Sequence, residues 1–269
     1  MFSMEICECK ENHGIKFRTE PYLLQGTYGT IEIFPRGRDS LNFGFCKHCD
    51  KPYLSKEKAK EIVRDVLEKR QKEKGLLTGE ELRELREQTG LTVREFGALT
   101  KINYGRISAI ENGYVIQSKA NDQVIRMKTK EFIKRNNPAR KKLKKVFAKL
   151  MQQVDTSKLF LNKIMFYVDF WNFKKTDKSI TGGEYIPLQY GPCPKDYDEI
   201  LQEMIDDGEI TPIKGYSFNV NKEPDMSEFS KEEMETINEI ISLAKHDKGQ
   251  ELFELSHKEK GFMETPSYE

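Results

Sequence analysis

The sequence has few of the features that mark secreted, membrane-spanning or nucleotide-binding proteins. Its 269 residues include only five cysteines, too few and odd in number for a disulfide-stapled scaffold. There is no run of about 18 apolar residues, no basic N-terminal segment followed by an apolar one, and no glycine-rich phosphate loop. We therefore expect a cytoplasmic protein in a reducing compartment that does not insert into a membrane.

The sequence also has little net charge. The formal net charge is +1, although 33% of the residues are charged and 37% are hydrophobic, against about 25% charged in an average domain. A surface so rich in ions argues against a large parallel sheet buried on both faces and favours helices with one solvated face. The length allows one large domain or two to three small ones.

Hydrophobic patterning separates a short N-terminal β region from a longer helical remainder. Residues 1–54 are poor in helix formers, and alternation around residues 30–34 and 41–45 predicts two or three short strands. From Ser55 onward, apolar residues recur at helical spacing. Helices are predicted at about 56–74, in three short stretches within 78–113, and at 119–134, 138–153, 158–173, 195–207 and 230–257, with a hairpin-like segment at 182–194 and a strand near 216–220. The predicted fold class is mainly α with small β elements.

Four of the five cysteines form two close pairs, which the predicted N-terminal strands separate. We predict a structural Zn²⁺ held by Cys7, Cys9, Cys46 and Cys49. The second pair has the usual C-x-x-C half-site spacing, and four ligands leave no open position for catalysis. A segment this short has too little apolar area to fold unaided. His13 or His48 can replace one ligand, and reduced structural cysteines or a redox pair are the alternatives.

Residues 91–113 predict two short helices joined by a tight turn. A capping box starts the first helix at Thr92, Asn103 can cap the second helix, and Gly113 ends it. Gly97 is placed where the two helices approach most closely. The stretch resembles the helix-turn-helix of Xre-type DNA-binding domains, including its Ile-Ser-Ala-Ile-Glu-Asn-Gly ending. A generic αα-corner is the alternative.

The Xre resemblance implies that the second helix enters the major groove of double-stranded DNA. The positions that would reach bases and phosphates are Asn103, Tyr104, Arg106 and Ala109, with Gly105 among them. Arg106 alone can read a guanine with two hydrogen bonds, whereas Gly105 offers no side chain. Because such repressors usually read palindromes, the resemblance also implies a homodimer.

A basic run follows the helix pair. The stretch from Arg126 to Lys149 contains eleven Lys or Arg residues and one acid, Glu131. Such a run is usually a solvated helix face, but next to a DNA-reading motif we interpret it as a surface for phosphates or as a dimer arm.

The charges are separated along the chain. Residues 1–157 contain 32 Lys or Arg and 21 Asp or Glu, a net charge of +11, and residues 158–269 contain 13 and 23, a net charge of −10. The first half therefore suits DNA, and the second half suits a basic protein partner.

The C-terminal part has a characteristic set of aromatic and turn residues. An apolar stripe at positions 160, 164, 168 and 171 predicts a core-facing helix. A Gly-Pro turn follows, with Pro194 expected in the first turn of the next helix. Lys163, Tyr167, Trp171, Tyr190, Gly191, Pro192 and Tyr197 resemble the motif of the Panacea domain, also called SocA-like. The side chains that can be core or an exposed anchor are those of Tyr167, Trp171, Tyr185 and Tyr190. Cys193 departs from the family, where a β-branched residue is commoner.

The Panacea resemblance covers about residues 157–213, and the preceding part resembles the N-terminal half of MqsA-like antitoxins. Together they imply an antitoxin of a type II toxin-antitoxin system. Its C-terminal domain would neutralise a cognate protein toxin by direct binding, and its N-terminal half would repress its own promoter. One alternative is a phage or mobile-element transcriptional regulator without a toxin. Another is a protease adaptor that delivers a bound protein for degradation.

These resemblances divide the chain into four expected segments. They are a zinc-binding β-ribbon at 1–54, a linker helix with an Xre-like helix-turn-helix at 55–118, a basic helical connector at 119–156, and an α+β Panacea domain at 157–269. No catalytic residues and no small-molecule substrate are expected, because no histidine lies near a serine, cysteine or aspartate in a triad-like pattern. Cys193 is the one candidate nucleophile if a helix N-terminus lowers its thiol pKa; a small packed residue is the alternative.

Overall fold

The fold is mainly helical, with small antiparallel strand pairs, as the sequence predicts. A computed structural model of the chain describes residues 4–10, 12–17, 20–26, 29–33, 43–154, 158–188, 191–213 and 217–246. The chain forms two compact units, unit 1 at residues 1–133 and unit 2 at residues 134–269.

Two short antiparallel strand pairs begin unit 1. Strand β1 (Ile15–Lys16) pairs with β4 (Phe45–Cys46), and β2 (Tyr22–Gly26) pairs with β3 (Gly29–Ile33). Helix α1 (Lys56–Glu73) starts at the side chain of Ser55, which accepts a hydrogen bond from the backbone N–H of Lys58. A first core joins these elements and consists of Leu24, Phe43, Phe45, Ile62, Val63, Val66 and Leu67.

Four more helices complete the described part of unit 1. They are α2 (Gly79–Thr89), α3 (Val93–Thr100), α4 (Tyr104–Glu111) and α5 (Lys119–Arg135). A second core of Leu77, Leu82, Phe96, Ile107, Ile110, Val115 and Ile125 lies among them. The guanidinium of Arg86 also donates to the buried carboxylate of Glu111 at 2.8 Å, which joins α2 to α4.

The described part of unit 2 has helices and two hairpins around one continuous core. Its elements are α6 (Pro138–Gln153), α7 (Lys158–Thr176), β5 (Tyr185–Leu188), β6 (Gly191–Pro194), α8 (Tyr197–Asp206), β7 (Ile210–Ile213), β8 (Ser217–Val220) and α9 (Lys231–His246). Strand β5 pairs with β6, and β7 pairs with β8. The hairpin-like segment predicted at 182–194 is therefore confirmed.

The position predicted for Pro194 is wrong. Pro194 lies in β6 opposite Tyr185, and α8 begins only at Tyr197, after Asp196 in a left-handed conformation with φ 59°. The Gly-Pro segment continues the hairpin because β5 supplies its pairing partners, and a turn at Lys195 and Asp196 then redirects the chain. Of the C-terminal helix predicted at 230–257, residues 247–257 lie outside the described residues.

Helix α6 belongs to the core of unit 2. Its buried residues Leu143, Val146, Phe147 and Leu150 join the same apolar cluster as Ile164 and other residues of α7, α8 and α9. Part of the segment interpreted from sequence as a connector thus packs within unit 2. The division of the chain into four segments otherwise stays a prediction.

Candidate functional site

The four paired cysteines converge on one point in unit 1. The sulfur atoms of Cys7, Cys9, Cys46 and Cys49 all lie within 4.8 Å of one another, and those of Cys9 and Cys46 are 4.0 Å apart. Tetrahedral Zn²⁺ with Zn–S bonds of about 2.3 Å needs sulfurs at about this spacing. The geometry therefore fits a metal ion with four thiolate ligands.

Backbone contacts hold the two cysteine pairs against each other. The N–H of Cys7 donates to the carbonyl of Pro52 at 2.8 Å, and the N–H of Cys46 donates to the carbonyl of Lys51 at 2.9 Å. Gly44 allows β1 and β4 to approach closely, because a Cβ there would lie 2.1 Å from the side chain of Ile15. The short ribbon thus brings together residues that are far apart in sequence, since Cys9 and Cys46 are separated by 37 positions.

The electrostatics of the cluster favour a bound cation. The backbone N–H of Cys49 is the largest influence on Cys46 and lowers the pKa of its thiol to about 6. Hydrogen bonds with the side chains of Cys7 and Cys49 raise the pKa of Cys9 to about 12. Without a cation, the crowded site therefore stabilises one thiolate at the expense of its neighbours, whereas a divalent metal would stabilise all of them.

The two N-terminal histidines contact each other. The rings of His13 and His48 stack with centroids 4.5 Å apart and an interplanar angle of 24°. Among the described residues, the cluster that could hold a metal ion consists of the four cysteines and does not include either histidine.

The helix pair α3–α4 has the local geometry expected from sequence. Thr92 and Glu95 form the predicted capping box, and the side chain of Asn103 accepts from the N–H of Gly105 at 2.9 Å. Lys101 takes a left-handed conformation with φ 56° in the connecting turn. A Cβ on Gly97 would lie only 2.8 Å from the carbonyl oxygen of Ile102, so this glycine permits the close approach of the two helices.

The predicted DNA-contacting residues differ in exposure. Asn103 is exposed and Tyr104 is 53% exposed, whereas Arg106 and Ala109 are half-buried, with Ala109 packed against the second core. Sequence reasoning missed Arg94, whose guanidinium lies 5.6 Å from the centre of the Tyr104 ring. The periodicity of one helix does not predict contacts between residues on two different helices, so this contact is visible only once α3 packs against α4.

Most of the basic run is already paired with carboxylates. In unit 2, Lys134, Arg135, Arg140, Lys142, Lys144 and Lys145 all form ion pairs with Asp or Glu residues. The guanidinium of Arg140, only 6% exposed, donates twice to Glu203, at 2.9 and 3.2 Å. These side chains are engaged within their own unit and are not free to follow a phosphate backbone in this arrangement.

Glu203 shows the strength of this pairing. Burial alone would raise the pKa of its carboxyl, but hydrogen bonds from Arg140 and Lys144 outweigh burial and lower the pKa below its usual value. Lys134 is stabilised in the same way, because Asp196 and Glu199 raise the pKa of its ammonium group. The carboxylates of α8 and of the turn before it therefore form an acidic surface, and α6 packs against this surface.

The Panacea-motif residues lie mostly in the interior of unit 2. Lys163 and Tyr167 are 1% exposed on α7, and Gly191 and Pro192 are buried in β6. Trp171 and Tyr197 are half-buried, and the indole N–H of Trp171 donates to Glu239 at 3.1 Å. Tyr190 lies outside the described residues.

Two buried groups near this motif have shifted acidities. Burial lowers the pKa of Lys163 to about 8. Burial also raises the pKa of Cys193 to about 11, and Cys193 lies in a strand and not at a helix N-terminus. A thiol held protonated in this way lacks the low pKa that a nucleophile needs.

A buried carboxylate that sequence reasoning missed anchors the segment between α7 and β5. Asp169, 3% exposed, accepts from the N–H of Thr181 and from the hydroxyl of Tyr185, both at 2.7 Å, and also from the hydroxyl of Thr181. Burial and the neighbouring carboxylate raise the pKa of Tyr185 well above its usual value. The hydroxyl of Tyr185 thus remains a donor.

Comparison with known proteins locates one family in the chain. The family model described as "Antitoxin SocA-like, Panacea domain" matches residues 161–261. The C-terminal part is therefore similar to antitoxins of this kind, as the sequence motif implies. No curated protein and no solved structure matches the chain. None of the described helices is both long enough and apolar enough to cross a lipid bilayer.

Proposed function

We propose that the protein is the antitoxin of a type II toxin-antitoxin system, and that its C-terminal Panacea domain neutralises a cognate protein toxin by direct binding. The observation that carries this proposal is the match of residues 161–261 to the SocA-like antitoxin family. An antitoxin of this type acts by occupancy, so we propose no reaction and no catalytic residue. We place its action in the cytoplasm, where its toxin would be made.

Unit 1 would supply the second activity, repression of the operon. The close packing of α3 and α4, the exposed Tyr104 and the guanidinium of Arg94 beside it support this proposal. We propose that α4 reads double-stranded promoter DNA, that the protein does so as a homodimer, and that a structural Zn²⁺ on Cys7, Cys9, Cys46 and Cys49 stabilises the preceding ribbon.

Co-expression with the neighbouring open reading frame tests the antitoxin function. We expect that frame to arrest growth when expressed alone and to be tolerated when the full-length protein is present. We also expect the two proteins to co-purify. A neighbouring product without toxicity would contradict the antitoxin function and leave a transcriptional regulator.

A protease-deficient host separates neutralisation from delivery for degradation. If binding alone neutralises the toxin, growth is rescued equally in the presence and absence of the host's ATP-dependent proteases. Rescue that disappears in the protease-deficient host would contradict neutralisation by occupancy and identify an adaptor instead.

A further inference from the structure

A cavity in unit 1 lies between the N-terminal segment and the first turns of α1. Its volume is about 510 Å³, within the range of about 300–1,000 Å³ that small-molecule sites occupy. Its apolar lining consists of Met4, Ile6, Ala59, Val63 and Tyr114. Neither the metal cluster nor the helix pair α3–α4 uses this space.

The apolar part of the cavity has a rigid base. Ala59 and Val63 are buried and lie one turn apart on α1, and Val63 belongs to the first core. Tyr114 is held by its backbone N–H, which donates to the carbonyl of Ala109 at 2.8 Å at the end of α4. A ligand would therefore contact preformed surface on two sides.

Two lysines of α1 line the same cavity. Lys56 and Lys60 are one helical turn apart on α1, so their side chains leave the same face. Neither forms an ion pair or a hydrogen bond with the part of the chain that the structure describes. The pKa of Glu57, which lies between them in sequence, is lowered by hydrogen bonds from its own backbone N–H and from Ser55, and also by the charges of Lys60 and Lys56.

The remaining charges leave the cavity with a positive excess. Lys51 and Glu5, which also line it, neutralise each other at 3.1 Å. Glu8 is the other carboxylate in the lining, so the lining has three lysines and two carboxylates, a net charge of +1. The N-terminal end of the α1 dipole adds further positive potential. The balance fits a ligand with one negative charge.

We propose that this cavity binds a small amphipathic anion, a carboxylate with an apolar chain or ring. The apolar body would lie against Ala59, Val63 and Tyr114, and the carboxylate would lie between the ammonium groups of Lys56 and Lys60. The ligand is bound and not transformed. This site is independent of toxin or DNA binding, so it can fail or hold without affecting the proposed function.

Calorimetric titration of the full-length, zinc-loaded protein with decanoate tests the site. We expect saturable binding of one decanoate per chain, and at least tenfold weaker binding of decylammonium, which has the same chain length and the opposite charge. Absence of saturable decanoate binding would overturn the proposal, and so would equal binding of the two amphiphiles.

Matched variants locate the site. The double variant Lys56→Gln/Lys60→Gln should weaken decanoate binding at least tenfold. The control Lys58→Gln/Lys72→Gln, which removes the same charge from α1 outside the cavity, should change it less than twofold. Ala59→Leu should also weaken binding by filling the cavity, with folding checked by the thermal melt. Equal effects of the two double variants would show non-specific attraction and overturn the site.

Discussion

The two units are stabilised in different ways. The described part of unit 1 has two separate small cores, strand pairs as short as two residues, and a cluster of four cysteines. The described part of unit 2 has one continuous core, and ion pairs connect α6 to α8. Unit 1 therefore has a candidate metal site beside its small cores, whereas the larger core of unit 2 includes a helix that precedes the family match.

The net charge of each part of the chain also depends on where the boundary between the units is placed. Divided at residues 133 and 134, the chain has 24 basic and 20 acidic residues in unit 1, and 21 and 24 in unit 2, from the sequence totals. The net charges are then +4 and −3, far smaller than the +11 and −10 obtained by dividing at residue 157. Much of the charge difference obtained by dividing at residue 157 therefore comes from basic residues of α6 and of the segment just before it. These residues neutralise carboxylates of unit 2.

Metal removal should give the largest difference between the two units, because it should unfold part of unit 1 and leave unit 2 folded. A structural zinc contributes about 10–16 kcal/mol of apparent binding free energy in small domains, so a chelator should unfold residues 1–54. We expect limited proteolysis to cut this segment rapidly, while the fluorescence of Trp171, the only tryptophan, reports an intact unit 2. Joint loss of both units would contradict their independence.

Phe147→Ala should destabilise unit 2 through α6. Phe147 is fully buried in the continuous core, so its truncation should lower the free energy of unfolding by about 3–5 kcal/mol. Denaturant titration followed by Trp171 fluorescence measures this. Phe173→Ala, at a position 50% exposed on α7, is the control and should change stability little. A small effect of Phe147→Ala would show that α6 is peripheral to unit 2.

Arg140→Ala should have the next largest effect. It removes both hydrogen bonds to Glu203, whose side chain is 15% exposed, and should cost roughly 2–3 kcal/mol, since Lys144 still partially compensates the carboxylate. Lys141→Ala is the matched control on the exposed face of the same helix. Equal stability of the two variants in denaturant would mean that the ion pairs do not hold α6.

Arg106→Ala tests the DNA-reading role of unit 1. If Arg106 contacts a base, its loss should weaken binding to the promoter by about 1–3 kcal/mol, measured by mobility shift at fixed salt. Arg70→Ala, on α1 and paired with Glu73, is the control and should bind the promoter normally. Unchanged binding by Arg106→Ala would mean that α4 is not the recognition helix.

The smallest expected effect is the pH dependence caused by Lys163. Its folded pKa of about 8 lies below the usual lysine value of 10.5, so between these values the unfolded chain binds more protons than the folded one. Stability of the wild type should therefore rise with pH in this window, by at most about 1.4 kcal/mol per pH unit. We expect the stability difference between wild type and Lys163→Met to change accordingly between pH 7.5 and 9.

Two comparisons complete this measurement. Cys193, whose raised pKa acts in the opposite direction above pH 9, interacts electrostatically with Lys163, so the comparison of wild type and variant is kept at or below pH 9. Lys178→Met, at an exposed position, should show no such change. A pH-independent difference for Lys163→Met would show that Lys163 keeps an ordinary pKa in the folded protein.

Local features of the fold were predictable because their causes lie within a few residues. The capping box at Thr92 and Glu95, the cap at Asn103 and the glycine at position 97 follow from short-range hydrogen bonding and sterics. The cysteine pairs were recognisable because metal ligands recur at fixed spacing. The Panacea motif was recognisable because its residues are close in sequence.

Contacts between distant residues were not predictable. Arg140 and Glu203 are 63 positions apart, so their pairing has no signal in local charge patterning, and the basic run looked like a phosphate surface. Arg94 meets Tyr104 only because two helices cross. In the sequence, Asp169 is not distinguishable from other polar residues on a helix. Its role follows only from the hydrogen bonds that Thr181 and Tyr185 donate to it in the folded structure.

The sequence by itself determined the helices with their caps, the hairpin of unit 2, the four potential metal ligands and the resemblance of the C-terminal part to SocA-like Panacea domains. Periodicity, capping chemistry and ligand spacing are local, and so they can be read along one chain. Only the tertiary structure decided that α6 belongs to unit 2, that its basic residues neutralise α8, and that two lysines line an apolar cavity. Burial and charge pairing depend on which segments meet in space, and residue order alone does not specify that.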